Sequence, residues 1–140
     1  MERPSRDHVL MEVANVFASR GTCGRARVGS AIARDGRVLA TGYNGPPARL
    51  EHCSDSCMAQ HIGGCSIAVH AESNAIAYAA RYGISVDGAT LYCTHLPCLN
   101  CAQLIINAGI IKVVYGQDYR DHSGIILLRQ AGVDIMELSI

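Results

Sequence analysis

The sequence contains no tryptophan, a single phenylalanine and no excess of charge of either sign. Twelve Lys and Arg residues balance twelve Asp and Glu residues, and charged residues make up only 17% of the 140-residue chain. A surface that binds single-stranded nucleic acid combines a basic groove with aromatic side chains that stack on the bases. Because the chain has no excess of basic residues and few aromatic side chains, we do not expect a nucleic acid polymer as the partner.

Long apolar runs are also missing. Runs such as Ile105–Ile106 and Ile110–Ile111 are far shorter than the roughly 20 residues that a membrane-spanning helix needs. The first residues are charged and lack the apolar segment of a secretory signal. We therefore expect no membrane partner and a cytoplasmic protein. With 140 residues, of which 49% are hydrophobic, the chain is predicted to form a single domain that spans residues 1–140.

Cysteine, by contrast, is abundant, with seven residues in the chain. In a reducing compartment an odd number of cysteines favours metal binding or catalysis over a framework of disulfides. Cys98 and Cys101 form a Cys-x-x-Cys pair. A second group of metal-binding residue types shares one loop and consists of His52, Cys53, Cys57, His61 and Cys65.

Hydrophobic spacing and turn residues predict helices at residues 5–20, 70–82, 97–108 and 121–131, and strands at residues 28–34, 37–43, 89–95, 110–116 and 133–138. The Asp35–Gly36 pair predicts a hairpin turn. A hairpin followed by β-α-β crossovers predicts an α/β fold with three α/β/α layers, in which a five-stranded mixed sheet carries helices on both faces. Residues 44–68 form a long loop that needs a function or a stabilising link. Alternation along the third strand places Cys93 in the core.

Two short motifs carry the chemistry. Residues 69–74 read VHAESN and residues 96–101 read LPCLNC, which together form the pattern H-x-E followed by P-C-x-x-C. This pattern is typical of zinc-dependent nucleobase deaminases. Because each half alone is common by chance, the indication comes from their joint occurrence at the starts of two predicted helices.

The spacing of these residues has a physical reason. Cys98 and Cys101 lie on one side of a first helical turn, where the positive helix end favours thiolates, and His70 at another helix start supplies a third ligand. Three protein ligands leave one tetrahedral zinc position for water, whereas a structural zinc takes four. Glu72 is then the predicted catalytic residue, which moves protons from water to the ring and the leaving amine. His95, close to the cysteine pair, is expected to line the pocket.

The chain resembles the deoxycytidylate (dCMP) deaminase family, in particular its bacterial and phage branch with late-competence-type members. The resemblance covers nearly the whole chain and is carried by CGRARVG (23–29), ATGYNGPP (40–47), EHCSDSC (51–57), HAESNAI (70–76), THLPCLNC (94–101) and YGQDYRDH (115–122). The GYNG stretch distinguishes nucleotide deaminases from nucleoside and tRNA-adenosine relatives. The resemblance implies a cytidine-deaminase-like fold and hydrolytic deamination of dCMP to dUMP and ammonia, which supplies dUMP for thymidylate synthesis.

The same resemblance implies substrate-binding residues. Asn44 is expected to hydrogen-bond the deoxyribose or the base, and Ala71 is expected to lie against the substrate. A monophosphate needs cationic donors, and Arg25 and Arg120 are the candidates. Tyr119 would add a hydroxyl group or a stacking face.

A second, structural zinc is also implied by the resemblance. Its ligands would be Cys23, Cys53, Cys57 and Cys65, with His52 as a substitute for one cysteine. Four thiolates form a closed tetrahedral site that would anchor the long loop. The alternative is that these cysteines are free, partly buried thiols.

Family members are commonly homohexamers that dCTP activates and dTTP inhibits together with magnesium, so the resemblance implies a homo-oligomer, nucleotide effectors and Mg²⁺. Other functions remain open at this point. The protein could deaminate another cytosine nucleotide, such as dCTP or a 5-modified dCMP, or a polynucleotide or tRNA. A non-catalytic, zinc-containing nucleotide-binding module is the third alternative.

Overall fold

A computed structural model describes residues 1–24, 26–51 and 67–140 of the protein. Within these ranges four helices and five strands follow one another in the predicted order. The helices are α1 (Arg6–Ala18), α2 (Ala71–Arg81), α3 (Leu99–Asn107) and α4 (Ser123–Gln130). The strands are β1 (Gly29–Arg34), β2 (Arg37–Tyr43), β3 (Thr90–His95), β4 (Lys112–Gln117) and β5 (Asp134–Glu137). None of the helices in these ranges is long and apolar enough to cross a membrane.

The five strands form one mixed sheet in the order β2-β1-β3-β4-β5. β1 pairs antiparallel with both β2 and β3, whereas β3, β4 and β5 run parallel. The hairpin turns at Asp35 and Gly36, whose φ angles of 56° and 75° are those of the type I′ turn that matches strand twist. The parallel strands are joined through α3 and α4, as β-α-β crossovers require. The predicted mixed sheet is therefore confirmed.

Helices cover both faces of this sheet. On one face, α1 contributes buried side chains that pack against β1, β3 and β4, and this cluster consists of Leu10, Met11, Ala14, Ala31, Ala33, Tyr92 and Val114. On the other face, α2, α3 and α4 enclose a larger cluster, which includes Ile32, Ala75, Leu91, Ala102, Ile105, Val113 and Leu128. Successive strand residues point to opposite faces, so neighbours such as Ala31 and Ile32 belong to different clusters. The three-layer α/β/α architecture is therefore confirmed.

The starts of α2 and α3 differ slightly from the prediction. His70 and Cys98 are the N-cap residues, so both precede the first full helical position. Pro97, which the sequence places in the first turn, lies just before the cap. Gly42 lets the start of α2 approach β2, because a Cβ atom at this position would collide with the backbone of Ala71. α2 therefore begins directly against the sheet.

Candidate active site

Two helix N-termini bring three potential metal ligands together. His70 caps α2, Cys98 caps α3, and Cys101 lies in the first turn of α3. The Nδ1 atom of His70 is 3.4 Å from the Sγ atom of Cys98 and 3.4 Å from that of Cys101. The backbone N–H of Cys101 donates to the Cys98 sulfur at 3.5 Å, which orients this side chain at the helix mouth. The structure thus brings together the three ligands that the sequence motif predicts.

The donor set and its spacing fit zinc. In tetrahedral zinc sites the Zn–S distance is about 2.3 Å and the Zn–N distance about 2.0–2.1 Å, so a ligand nitrogen and sulfur lie about 3.6 Å apart. The ligand atoms of His70, Cys98 and Cys101 all lie within 4.8 Å of one another. In the described parts of the chain no fourth His, Cys, Asp or Glu joins this group. One imidazole and two thiolates form the donor set of a catalytic zinc that keeps an open position.

The pKa values of the two cysteines are shifted in opposite directions. A hydrogen bond from the Cys101 thiol, reinforced by His70, lowers the pKa of Cys98 to about 4. In turn, the hydrogen bond to the Cys98 sulfur raises the pKa of Cys101, and burial and the Glu72 carboxylate add to this rise. One thiolate therefore forms readily, and the second needs additional positive charge. A divalent metal between the sulfurs supplies that charge.

Glu72 lies in the first turn of α2 and is only 4% exposed. Residues two apart on a helix point in different directions, but Cα–Cβ bonds tilt toward the helix N-terminus. The longer Glu72 side chain can therefore reach the helix mouth where the imidazole of His70 lies. The carboxylate is close enough to Cys101 to raise the pKa of that thiol. The arrangement can combine a metal with an adjacent group that accepts and returns protons.

The carboxylate of Glu72 has a partner that sequence reasoning missed. The thiol of Cys93 donates to Oε1 of Glu72 at 2.9 Å. Cys93 is 0% exposed, so its predicted burial is confirmed. Strand alternation places it two residues before His95 and on the same face of β3. This spacing indicates that Cys93 and His95 share a face of β3. The contact between Cys93 and Glu72 depends in addition on how α2 crosses the strand.

His95 ends β3 and is half-buried. Its Nδ1 atom is 2.8 Å from Oγ1 of Thr94, and this hydroxyl oxygen also accepts the backbone N–H of Gly29 at 3.1 Å. Burial lowers the pKa of His95, whereas the negative charge of Glu72 partly opposes this. The imidazole is therefore neutral near pH 7. That His95 lines a substrate pocket stays a prediction.

Ser73 is another neighbour of the metal-binding group that the sequence did not indicate. Its Oγ atom is 3.4 Å from the sulfur of Cys101. A hydroxyl donor at this position stabilises a thiolate and lowers the pKa of Cys101 slightly. The serine lies one residue beyond Glu72, so the same first turn of α2 supplies both groups.

Asn44 is buried, and its side chain holds the backbone of the segment before β1. Its Oδ1 atom accepts the N–H of Val28 at 2.8 Å, and its Nδ2 atom donates to the carbonyl of Ala26 at 2.8 Å. An amide side chain has further capacity on both atoms, so a substrate contact stays a prediction. The backbone carbonyl of Ala71 accepts from the Ser30 hydroxyl at 2.8 Å, which ties the start of α2 to β1.

Tyr119 and Arg120 follow β4 and are both exposed. Because β3 and β4 are parallel and pair up to His95 and Gln117, the two residues lie beyond the sheet edge at which α3 begins. Asp118 orders this segment by accepting the N–H of Tyr119 at 2.8 Å. The two residues thus lie beyond the carboxyl end of the strand next to β3, but contact with a substrate stays a prediction.

The residues assigned to a second zinc are described only in part. Cys23 is half-buried and is not part of a disulfide. The other residues proposed for this zinc lie outside the described residues and are His52, Cys53, Cys57 and Cys65. Arg25, one of the two phosphate candidates, also lies outside them. The second zinc and the role of Arg25 therefore stay predictions.

Comparisons with known proteins agree with this geometry. Residues 4–117 match the model of the family described as cytidine and deoxycytidylate deaminase zinc-binding region. ComE operon protein 2 of Bacillus subtilis (strain 168) is 40% identical over 141 residues, which cover 100% of this chain and 75% of that protein. Deoxycytidylate deaminase of Saccharomyces cerevisiae (strain ATCC 204508 / S288c) is 40% identical over 144 residues, which cover 98% of this chain. The chain spans only 46% of the length of that yeast protein.

A solved structure shows the same fold. The crystal structure of dCMP deaminase from the cyanophage S-TIM5 in complex with dCMP and dUMP superposes with a TM-score of 0.89 at 34% sequence identity. The match covers 99% of this chain and 100% of that one. The resemblance inferred from the sequence motifs is thereby confirmed. The chain belongs to the cytidine and deoxycytidylate deaminase family.

Proposed function

We propose that the protein is a zinc-dependent enzyme that hydrolyses dCMP to dUMP and ammonia. The observation that carries this proposal is the buried carboxylate of Glu72 beside a group of one histidine and two cysteines at two helix mouths. The yeast relative is named deoxycytidylate deaminase, and the cyanophage enzyme binds dCMP and dUMP. The product dUMP would supply thymidylate synthesis.

In this proposal His70, Cys98 and Cys101 hold the metal through Nδ1 and the two Sγ atoms. When bound, zinc supplies a Lewis acid that makes water a nucleophile near neutral pH. Glu72 moves the protons: it accepts one from water, passes it to N3 of cytosine, and later protonates the departing amine. The water oxygen becomes O4 of uracil, one water hydrogen stays on N3, and the other leaves with ammonia. The C4–N bond breaks and a C4–O bond forms.

Recognition of the monophosphate is assigned to residues at the rim of the site. We place Arg120 and Tyr119 at the phosphate, because their segment follows β4 next to the strand that leads into α3. Arg25 is the second cationic candidate. Asn44, just after β2, and Ala71, at the start of α2, are proposed to contact the nucleoside.

The decisive assay measures ammonia release from dCMP, dCTP, deoxycytidine, 5-methyl-dCMP and cytosine-containing oligonucleotides with the zinc-loaded protein. We expect the highest kcat/KM for dCMP, because the proposed site provides donors for one phosphate and the sequence has no excess of basic residues. If dCTP or a modified nucleotide is turned over preferentially, the proposed substrate changes and the proposed reaction stays the same. Turnover of oligonucleotides alone, or of none of these compounds, would refute the proposal.

Further properties implied by the family are part of the proposal. We infer a single domain, a second zinc held by four cysteines that include Cys23, and a cytoplasmic homohexamer regulated by dCTP and by dTTP with Mg²⁺. Metal analysis of the purified protein should find about two zinc ions per chain. One zinc per chain would refute the second site and leave the catalytic one intact. Sedimentation with and without the effector nucleotides tests the assembly and its regulation.

A further inference from the structure

The thiol of Cys93 is a buried hydrogen-bonding group that the reaction above does not use. It lies in β3, a strand that pairs with β1 on one side and with β4 on the other. Cys93 is opposite Ser30 and Tyr115 in this register, so both neighbouring strands fix its backbone. The Sγ atom of Cys93 donates to Oε1 of Glu72 at 2.9 Å. A rigid strand therefore holds a hydrogen-bond donor against the carboxylate that moves the protons.

This donor keeps its hydrogen. Burial raises the pKa of Cys93 well above its ordinary value, and the nearby Glu72 carboxylate raises it further. The group is therefore a thiol, and a thiol next to a carboxylate oxygen donates to it. The Glu72 side chain has three rotatable bonds, which the hydrogen bond restricts to orientations that keep Oε1 on the thiol.

We infer that Cys93 is a positioning residue, which holds Oε1 of Glu72 so that the other oxygen, Oε2, faces the substrate and carries the transferred proton. A carboxylate held at one oxygen rotates less freely away from the metal-binding group. Proton transfer is efficient only when donor and acceptor are within hydrogen-bond reach, so a freely rotating carboxylate would be less effective. This inference rests on the role proposed for Glu72.

The test compares Cys93→Val, which fills the space without a donor, with Cys93→Ser, which restores a hydroxyl donor. For the zinc-loaded Cys93→Val protein we expect kcat for dCMP to fall about 10- to 100-fold with little change in KM or zinc content, because hydrogen bonds to charged groups have effects of this size. Cys93→Ser should retain kcat within about threefold of the wild-type value, since a hydroxyl can donate to the same oxygen. A wild-type kcat in Cys93→Val, or an equal loss in both variants, would overturn the inference.

A measurement independent of turnover uses the infrared S–H stretching band. The difference spectrum between the wild-type and Cys93→Ser proteins isolates this one thiol from the other cysteines. In the Glu72→Gln background the same difference band should move to higher frequency, because an amide oxygen is a weaker acceptor than a carboxylate. An unshifted band would show that the thiol does not bond to Glu72.

A matched control separates positioning from packing. Val113 is 0% exposed and belongs to the cluster beneath α2, α3 and α4, but it lies on β4. Val113→Ala should lower the unfolding temperature while the folded protein keeps its kcat.

The proposed function and the positioning role of Cys93 would be refuted by different results. An active Glu72→Gln protein would refute the proposed role of the carboxylate, whereas an inactive Glu72→Gln with a normal Cys93→Val would refute only the positioning role.

Discussion

Asn44→Ala tests whether this side chain is a structural brace as well as a candidate substrate contact. The substitution removes two hydrogen bonds of 2.8 Å that hold the backbone at Val28 and Ala26. Val28 is half-buried, so its unpaired N–H should cost about 1–2 kcal/mol, whereas Ala26 is exposed and its carbonyl can bind water at a cost of about 0.5 kcal/mol. The free energy of unfolding should fall by about 2 kcal/mol in total.

For a chain of this size that loss corresponds to a decrease of roughly 6–10 °C in the unfolding temperature. Thermal unfolding followed by circular dichroism, with zinc present in all samples, measures it directly. Asn107→Ala is the matched control, because Asn107 is an exposed asparagine at the end of α3, and its change should stay within about 0.5 kcal/mol. An unchanged unfolding temperature for Asn44→Ala would refute the brace. A raised KM for dCMP in the remaining folded protein would support the additional substrate contact.

Three further substitutions test other parts of the molecule. Glu72→Gln should retain zinc, but its kcat should fall about 100- to 10,000-fold, because the amide cannot transfer protons. Ammonia release measures this loss. Arg120→Ala should raise KM for dCMP far more than KM for deoxycytidine, because only the nucleotide offers a phosphate to the guanidinium group. Tyr92→Phe should lower the free energy of unfolding by about 1–2 kcal/mol. It removes the phenol that donates to Asp7 at 2.6 Å, and the exposed Tyr78→Phe is its control.

The contrary results are equally specific. Near-normal turnover by Glu72→Gln with its zinc in place would remove this carboxylate from proton transfer. Equal losses with dCMP and deoxycytidine in Arg120→Ala would place the guanidinium group away from the phosphate. If Tyr92→Phe is as stable as the wild type in chemical denaturation, the link between α1 and β3 contributes nothing measurable.

The predicted order of helices and strands was correct because its signals are local. Ser5 caps α1 by accepting the N–H of His8, Asp35 and Gly36 adopt the left-handed conformations of the hairpin turn, and Gly109 with φ of 86° follows the end of α3. Each of these effects involves residues within a few positions of one another, so the sequence displays them directly. Element ends shifted by one or two residues. At the starts of α2 and α3 the reason is that the caps His70 and Cys98 lie outside the helices proper.

The candidate ligands were predictable for the same reason. His70 and Glu72 share one helix start, and Cys98 and Cys101 share another, so each pair is a local pattern. Their approach to 3.4 Å across 28 and 31 positions is a property of the fold, in which parallel crossovers place both helix mouths at one edge of the sheet. The combination of the two motifs predicted that these residues lie close together, and the structure supplies the distances between them.

By itself, the sequence determined the element order, the mixed sheet and the residue types of the site, since these follow from short-range periodicity and motif spacing. Only the tertiary structure decided which partners these residues have. Cys93 meets Glu72 because α2 crosses β3 at that register, and Asn44 reaches residues 16 and 18 positions earlier in the chain because β2 folds back along β1. Such contacts depend on strand register and helix placement, which no local stretch of sequence encodes.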